Sequence, residues 1–189
     1  CYLYPPAFDK EKLPIPFLLP PGGSNLMNIV SMMPKLKEEL RTIFNDYGLK
    51  YVFDTNSQEI KVMKEKKPGE IFLIPFHSIA DTLQRMIFYK AAIESNSESA
   101  LVFEAPEAHS SPPFISKVTQ DIIQSDRNQF FITTHSPYVV NDFLELPSDQ
   151  LAIYLVDFRN GETFVKRASD TEVQEMYEYG IDLFFNTET

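Results

Sequence analysis

The 189-residue sequence has no tryptophan, six glycines, three histidines and a single cysteine. One thiol, Cys1, excludes an internal disulfide, and such sparing use of cysteine points to a reducing, cytoplasmic compartment. Apolar runs are short, and none approaches the ~18 residues of a membrane helix. The N-terminus has no basic stretch followed by an apolar one, as a secretory signal requires, so no membrane partner is expected. The chain opens on Cys1 rather than Met and reads as a fragment or processed product. Positive charge is also scarce: 17 Lys and Arg face 27 acidic residues, for a net charge of −10. So acidic a chain is poorly suited to gripping a phosphate backbone, and direct nucleic-acid binding by this segment is not expected. A small anion site built from backbone amides, or half of one, stays open. The strongly basic stretch Lys61, Lys64, Lys66 and Lys67 reads as a solvated hairpin with charged ends.

Several chemical motifs are missing. There is no Gly-x-Ser-x-Gly elbow and no His-Glu-x-x-His. Glu107 and His109, two residues apart, are too few to define a metal centre. No Gly-x-x-x-x-Gly-Lys-Ser/Thr occurs either. Gly22-Gly23-Ser24 lacks both the lysine and the spacing of a phosphate cradle.

What is present is a globular composition, 43% hydrophobic and 23% charged, of a length that suits one domain or a large piece of one. Prolines 5, 6, 14, 16, 20 and 21 exclude regular helix or central strand over residues 1–23. Ser24 can cap a short helix to about Met32, and Pro34 suits the first turn of the next. Leu36, Leu40, Ile43, Phe44 and Tyr47 follow at helical spacing up to Gly48. Two strand-like runs, Tyr51–Asp54 and Glu59–Met63, flank Thr55-Asn56-Ser57 as a hairpin. From residue 70 strands and helices alternate. Strands are expected at Glu70–Pro75, Ala100–Phe103, Gln129–Thr133 and Leu151–Asp157, with helices over Ile79–Glu94, Pro113–Gln124 and Pro137–Phe143 between them. Thr163–Lys166 follows an Asn160-Gly161 turn, and Ser169 with Glu172 forms a capping box for a last helix to Tyr179. The alternation predicts an α/β fold with a mostly parallel central sheet flanked by helices. The runs Ala100–Phe103 and Gln129–Thr133 lack polar alternation and read as strands covered on both faces.

In such sheets ligands collect beyond the carboxyl ends of the strands. One strand ends in Glu104-Ala105-Pro106-Glu107-Ala108-His109 and the next in Thr133-Thr134-His135-Ser136. A right-handed crossover through one helix sets both ends on one rim. Glu104 can hold magnesium there through water, and His135 can approach a terminal phosphate. Read singly, each has an ordinary alternative: a strand-end Glu that caps the next helix, or a hydrogen-bonded core His.

These stretches resemble ABC/SMC-like P-loop ATPases, in the stand-alone branch related to overcoming-lysogenization-defect proteins. Leu101-Val102-Phe103-Glu104-Ala105-Pro106-Glu107-Ala108-His109, with Pro112 beyond, is similar to the Walker B region. Phe130 to Pro137 resembles the switch-histidine loop. Ile79-Ala80-Asp81-Thr82-Leu83-Gln84-Arg85 lies where the family's signature loop opens a helix, and Asp182-Leu183-Phe184-Phe185-Asn186 is typical of the branch. The resemblance covers about residues 70–189. It implies ATP and Mg2+ as cofactors, Glu104 as the metal ligand, and His135 near the γ-phosphate. Asp81 and Thr82 would contact nucleotide across a dimer interface. It further implies a Walker A half preceding residue 1, a second ATPase protomer, and an effector such as a nuclease or toxin, in a setting of bacterial defence against phage.

Three departures stand out. The Walker A motif is absent. Ala105 occupies the position of the catalytic Glu, as an engineered Glu→Ala change or a naturally hydrolysis-dead ATPase would have it. The signature stretch has no glycine, and Asp81 can equally be read as the cap of its helix. Residues 1–69 read as a lid or arm inserted into the head, and 70–189 as its C-terminal lobe. The alternative function is a non-hydrolysing scaffold of the same fold.

Overall fold

Pro34, Pro112 and Pro137 each open a helix, where a missing N–H costs nothing and a fixed φ is already helical. The computed structural model describes residues 1–5, 15–54, 56–57 and 59–179. The chain divides into a unit of residues 1–133 and a unit of residues 134–189.

In the first unit, α1 (Leu26–Met32) and α2 (Pro34–Asp46) precede β1 (Lys50–Asp54), β2 (Glu59–Lys67) and β3 (Glu70–Pro75). Then come α3 (Asp81–Ser95), β4 (Ala100–Glu104), α4 (Pro112–Ile123) and β5 (Gln129–Thr133). The three early strands form an antiparallel sheet in the order β1-β2-β3, and β4 pairs with β5 in parallel. α3 is the centre. Met86, Ile87, Phe88, Tyr89, Ala91, Ala92 and Ile93 are all buried, so this helix is apolar nearly all round, as an interior helix must be. Its Tyr89 ring lies 5.0 Å from Phe103 of β4, while α1, α2 and α4 also pack against it. α2 buries Leu36, Leu40, Ile43 and Phe44 of the stripe read from the sequence, whereas Tyr47 lies just past the helix end and is 50% exposed.

Among the described residues one charged side chain is buried in this interior. Lys90 is 8% exposed, and its Nζ lies 2.8 and 2.7 Å from the two carboxylate oxygens of Asp121 and 3.0 Å from Glu39. Burial alone would lower the ammonium's pKa. Hydrogen bonding to Asp121, the charge of Asp121 and then Glu39 outweigh it and raise the value. The trio ties α2, α3 and α4 together.

Four expectations change. The N-terminus is not wholly irregular: Tyr2 bridges Phe103 in parallel, its N–H donating to Val102 O at 2.6 Å, and its ring is buried. β3 does not open a parallel sheet. It pairs antiparallel with β2 because Pro68-Gly69 makes a tight reversal with Gly69 at φ 84°, so position 69 falls inside a hairpin. Asn25, rather than Ser24, stands at the start of α1, and its side-chain amide instead bonds Leu19 N and Phe17 O. The β4–β5 pair is covered on one face. Leu101 and Phe103 are buried, whereas Phe131 is 52% exposed.

In the second unit α5 (Pro137–Phe143) leads to β6 (Tyr154–Arg159), β7 (Glu162–Arg167) and α6 (Asp170–Tyr179). β6 pairs antiparallel with β7 across the Asn160-Gly161 turn read from the sequence, where both residues take left-handed φ (53° and 85°). The capping box forms as read: Ser169 N–H donates to Glu172 Oε2 at 2.8 Å and Glu172 N–H to Ser169 Oγ at 3.3 Å. Gly180 and the Asp182–Asn186 motif lie outside the described residues, as do residues 6–14 and Thr55. Among the described residues no helix is long and apolar enough to cross a membrane.

Two outcomes follow for stability. Gly23 has φ 67°, and a Cβ there would meet the Phe88 ring at 2.8 Å. Gly23→Ala is therefore expected to cost about 2 kcal/mol, read as a lower urea midpoint at unchanged slope. Hydrogen bonding from Lys166, then from the Ser169 N–H and hydroxyl, lowers the Glu172 carboxyl from 4.5 to about 2. A lowered folded-state value means its contribution is present above the unfolded value and lost as pH falls through the folded one. Amide protection factors in α6, taken relative to the intrinsic exchange rate at each pH, should fall on acidification from about pH 4.5 to about 2, and Glu172→Gln should show the lower protection already at neutral pH.

Candidate functional site

β4 and β5 run in parallel with Glu104 opposite Thr133, and α4 crosses between them, so both strands end on one rim. Registered partners share a face. The Glu104 carboxyl and Thr133 hydroxyl therefore extend from the face that also carries Phe131, and both residues are exposed. The rim is open to water in this chain.

Ala105 leaves the strand in a left-handed conformation, φ 41°, with its N–H donating to Thr133 O at 2.9 Å. Two turns follow: Ala108 N–H donates to Ala105 O and Ser110 N–H to Glu107 O, each at 3.0 Å. His109 is again left-handed, φ 59°. One carboxylate oxygen of Glu107 is turned inward and buried. From the opening of α3, Thr82 Oγ1 donates to His109 O at 3.2 Å, which brings the signature-like stretch against the strand-end loop of the same chain.

Asp81 does not cap α3. Ala80 holds that position and Asp81 lies within the first turn, its Oδ2 2.7 Å from Arg85 Nε, one turn on. The Arg85 guanidinium lies over the Tyr4 ring at 4.3 Å. Tyr4 donates to Gln84 Oε1 at 3.1 Å, and Gln84 Nε2 donates to Ile79 O at 2.8 Å. Burial, then the charge of Asp81, pushes the Tyr4 hydroxyl well above the usual tyrosine range. Burial pushes Tyr89 up to about 12, with Glu107 and Glu104 adding to the shift and Arg85 opposing it. Both phenols stay protonated at neutral pH and can serve as donors, not as bases. Sequence reading missed Tyr2, Tyr4 and Tyr89. Their signal was an alternating aromatic pattern hidden among prolines, and an aromatic on a helix already apolar all round.

His135 belongs to the second unit. It is exposed and follows Thr133 by two residues. Thr134 Oγ1 accepts from Ser136 N–H at 3.0 Å just before α5 begins. The structure thus gathers Glu104, Ala105, Thr133, Thr82 and His109 around the ends of β4 and β5.

A divalent cation can be tested against this donor set. Among the described residues no three His, Cys, Asp or Glu side chains converge. Glu104 and Thr133 offer oxygen only. That suits magnesium, which takes one or two protein oxygens and fills its remaining positions with water and phosphate.

No protein-family model and no curated protein matches the chain. Among solved structures it is similar to one from work on ATP-driven dimerization and DNA-stimulated activation of SMC ATPases. The two share 15% identity over 81% of this chain and 96% of that one, with a TM-score of 0.53. At that identity the likeness is one of fold alone. A second similar structure is the Smc head domain with a coiled coil and joint from Pyrococcus yayanosii: 12% identity, 77% of this chain, 29% of that chain, TM-score 0.45.

Proposed function

We propose that the chain is the C-terminal lobe of an ABC-type ATPase head whose ATP state controls a partner effector. The observation that carries this reading is the parallel register that pairs Glu104 with Thr133 at one rim, with Ala105 next in the chain. Magnesium, when bound, neutralises phosphate charge. Glu104 holds it, with Thr133 beside it as a second oxygen. Position 105 is where a carboxylate would polarise the attacking water, and Ala105 leaves that task undone. The sequence resemblance makes His135 the candidate to meet the terminal phosphate. The sequence contains no phosphate cradle, so the Walker A half is supplied from outside residues 1–189, against the open face that carries Phe131. Residues 1–69 act as the arm and residues 70–189 as the lobe proper. Asp81 and Thr82, at the opening of α3, are the surface offered to a second protomer. An effector of the nuclease or toxin kind, in phage defence within a reducing cytoplasm, fits the sequence resemblance to the overcoming-lysogenization-defect branch.

A second reading is favoured by Ala105 itself: a hydrolysis-dead head used for assembly. The two separate in the assembled protein, with the Walker A half present. Ala105→Glu should raise ATP turnover by roughly 10²–10⁴-fold. Turnover that stays at background, with nucleotide binding and assembly intact, supports the scaffold instead. Glu104→Gln should weaken magnesium-dependent nucleotide binding at an unchanged melting temperature. In the Ala105→Glu protein, His135→Ala should lower turnover more than affinity, since a donor to a phosphate matters most as charge develops. If both substitutions lower the melting temperature and leave nucleotide response untouched, these residues are structural and the site is wrongly placed.

A further inference from the structure

The loop from Ala105 to His109 begins and ends on a non-glycine residue with positive φ, 41° and 59°. Such a conformation is unfavourable for a residue bearing a Cβ and persists only where neighbours impose it. A hydrogen bond from another element holds each end of this loop. At its start the Ala105 N–H is held by Thr133 O of β5 at 2.9 Å. At its end the His109 carbonyl is held by the Thr82 hydroxyl of α3 at 3.2 Å. A threonine hydroxyl has one hydrogen to give. Once it is given to His109 O, lone pairs remain, and these repel a phosphate oxygen. Asp81 beside it carries a negative charge bonded to Arg85, so it offers no donor either.

We infer that Thr82 is a positioning residue acting within its own chain, a strap from the first turn of α3 that holds the far end of the strand-end loop and so sets the approach of position 105. The inference rests on the ATPase reading for its effect on turnover, and not for the strap itself. Under it, any surface that presses on the opening of α3 is transmitted through one hydroxyl to the loop that follows the metal ligand. Thr82 is then not a direct ligand of a neighbouring protomer's nucleotide.

The test compares Thr82→Val, which exchanges the hydroxyl for a methyl group, with Thr82→Ser, which keeps the donor. In the intact protein, hydrogen exchange at the Ala108 and Ser110 amides should quicken about fivefold in Thr82→Val, the loss of one ordinary hydrogen bond. Amides of β1 and β2 should be unaffected, and Thr82→Ser should restore the slow rate. Adding Thr82→Val to the Ala105→Glu protein should lower kcat several-fold with KM for Mg-ATP nearly unchanged, again rescued by Ser. Unchanged exchange at Ala108 and Ser110 in Thr82→Val overturns the strap. So does a raised KM, or lost ATP-dependent dimerisation, with kcat and exchange unaffected, because that pattern belongs to a direct nucleotide contact. Should Ala105→Glu show no turnover at all, the ATPase reading fails, and the exchange comparison still decides the role of Thr82.

Discussion

Everything in the first unit depends on burying α3. A helix surrounded on nearly all sides has no solvent stripe, so its sequence runs Met86-Ile87-Phe88-Tyr89 without a break and then admits Lys90. That lysine is tolerated because Asp121 takes its ammonium with both oxygens and Glu39 closes a third side. Replacing such a cluster by apolar groups can be neutral, but removing one member strands the others, which makes it a device for fixing how α2, α3 and α4 meet. The sheet side of α3 is aromatic instead, with Tyr89 on Phe103 and Phe88 against Tyr2 and Tyr4. These packed rings fix the end of β4, and hence where Glu104 emerges.

The rim is built from a regular part and a strained part. Regular parallel pairing carries Glu104 and Thr133 to the edge side by side, and the loop that follows turns sharply through left-handed residues. Proteins concentrate this kind of backbone strain where chemistry or recognition needs an exact approach. Around it sit phenols held protonated by burial and a guanidinium committed to Asp81 and Tyr4.

Most local elements were legible in the sequence to within a residue or two because their signals are local, although β2 runs four residues beyond its expected end and β6 starts three residues late. Proline at helix starts, the i, i+4 stripe of α2, Asn160-Gly161 between β6 and β7, and Ser169 with Glu172 each act through neighbours in the chain. Pairing was less legible. Glu70–Pro75 reads as a strand on either side of an assignment, and only the reversal at Gly69 decides that it returns on β2. The apolar runs of β4 and β5 resembled doubly covered strands, yet one face lies open within this chain. Of the site, the rim positions of Glu104 and Ala105 follow from strand order and handedness. The hydrogen bond from Thr82 to His109 could not be read, since 27 residues separate its partners and no spacing rule links a helix start to a distant loop.

The bridge between Tyr2 and Phe103 has a consequence for how the chain reaches this state. Its partners are roughly a hundred residues apart, so closing the contact costs loop entropy that a local hairpin such as β1–β2 avoids. A strand partner made early in synthesis must wait unpaired until β4 emerges and α3 has packed. Pairings of this reach form late and slow the folding of the unit that contains them. The phenol of Tyr2, bonded to Leu18 O and accepting from Asn96 Nδ2 at the end of α3, then marks the closing of the unit.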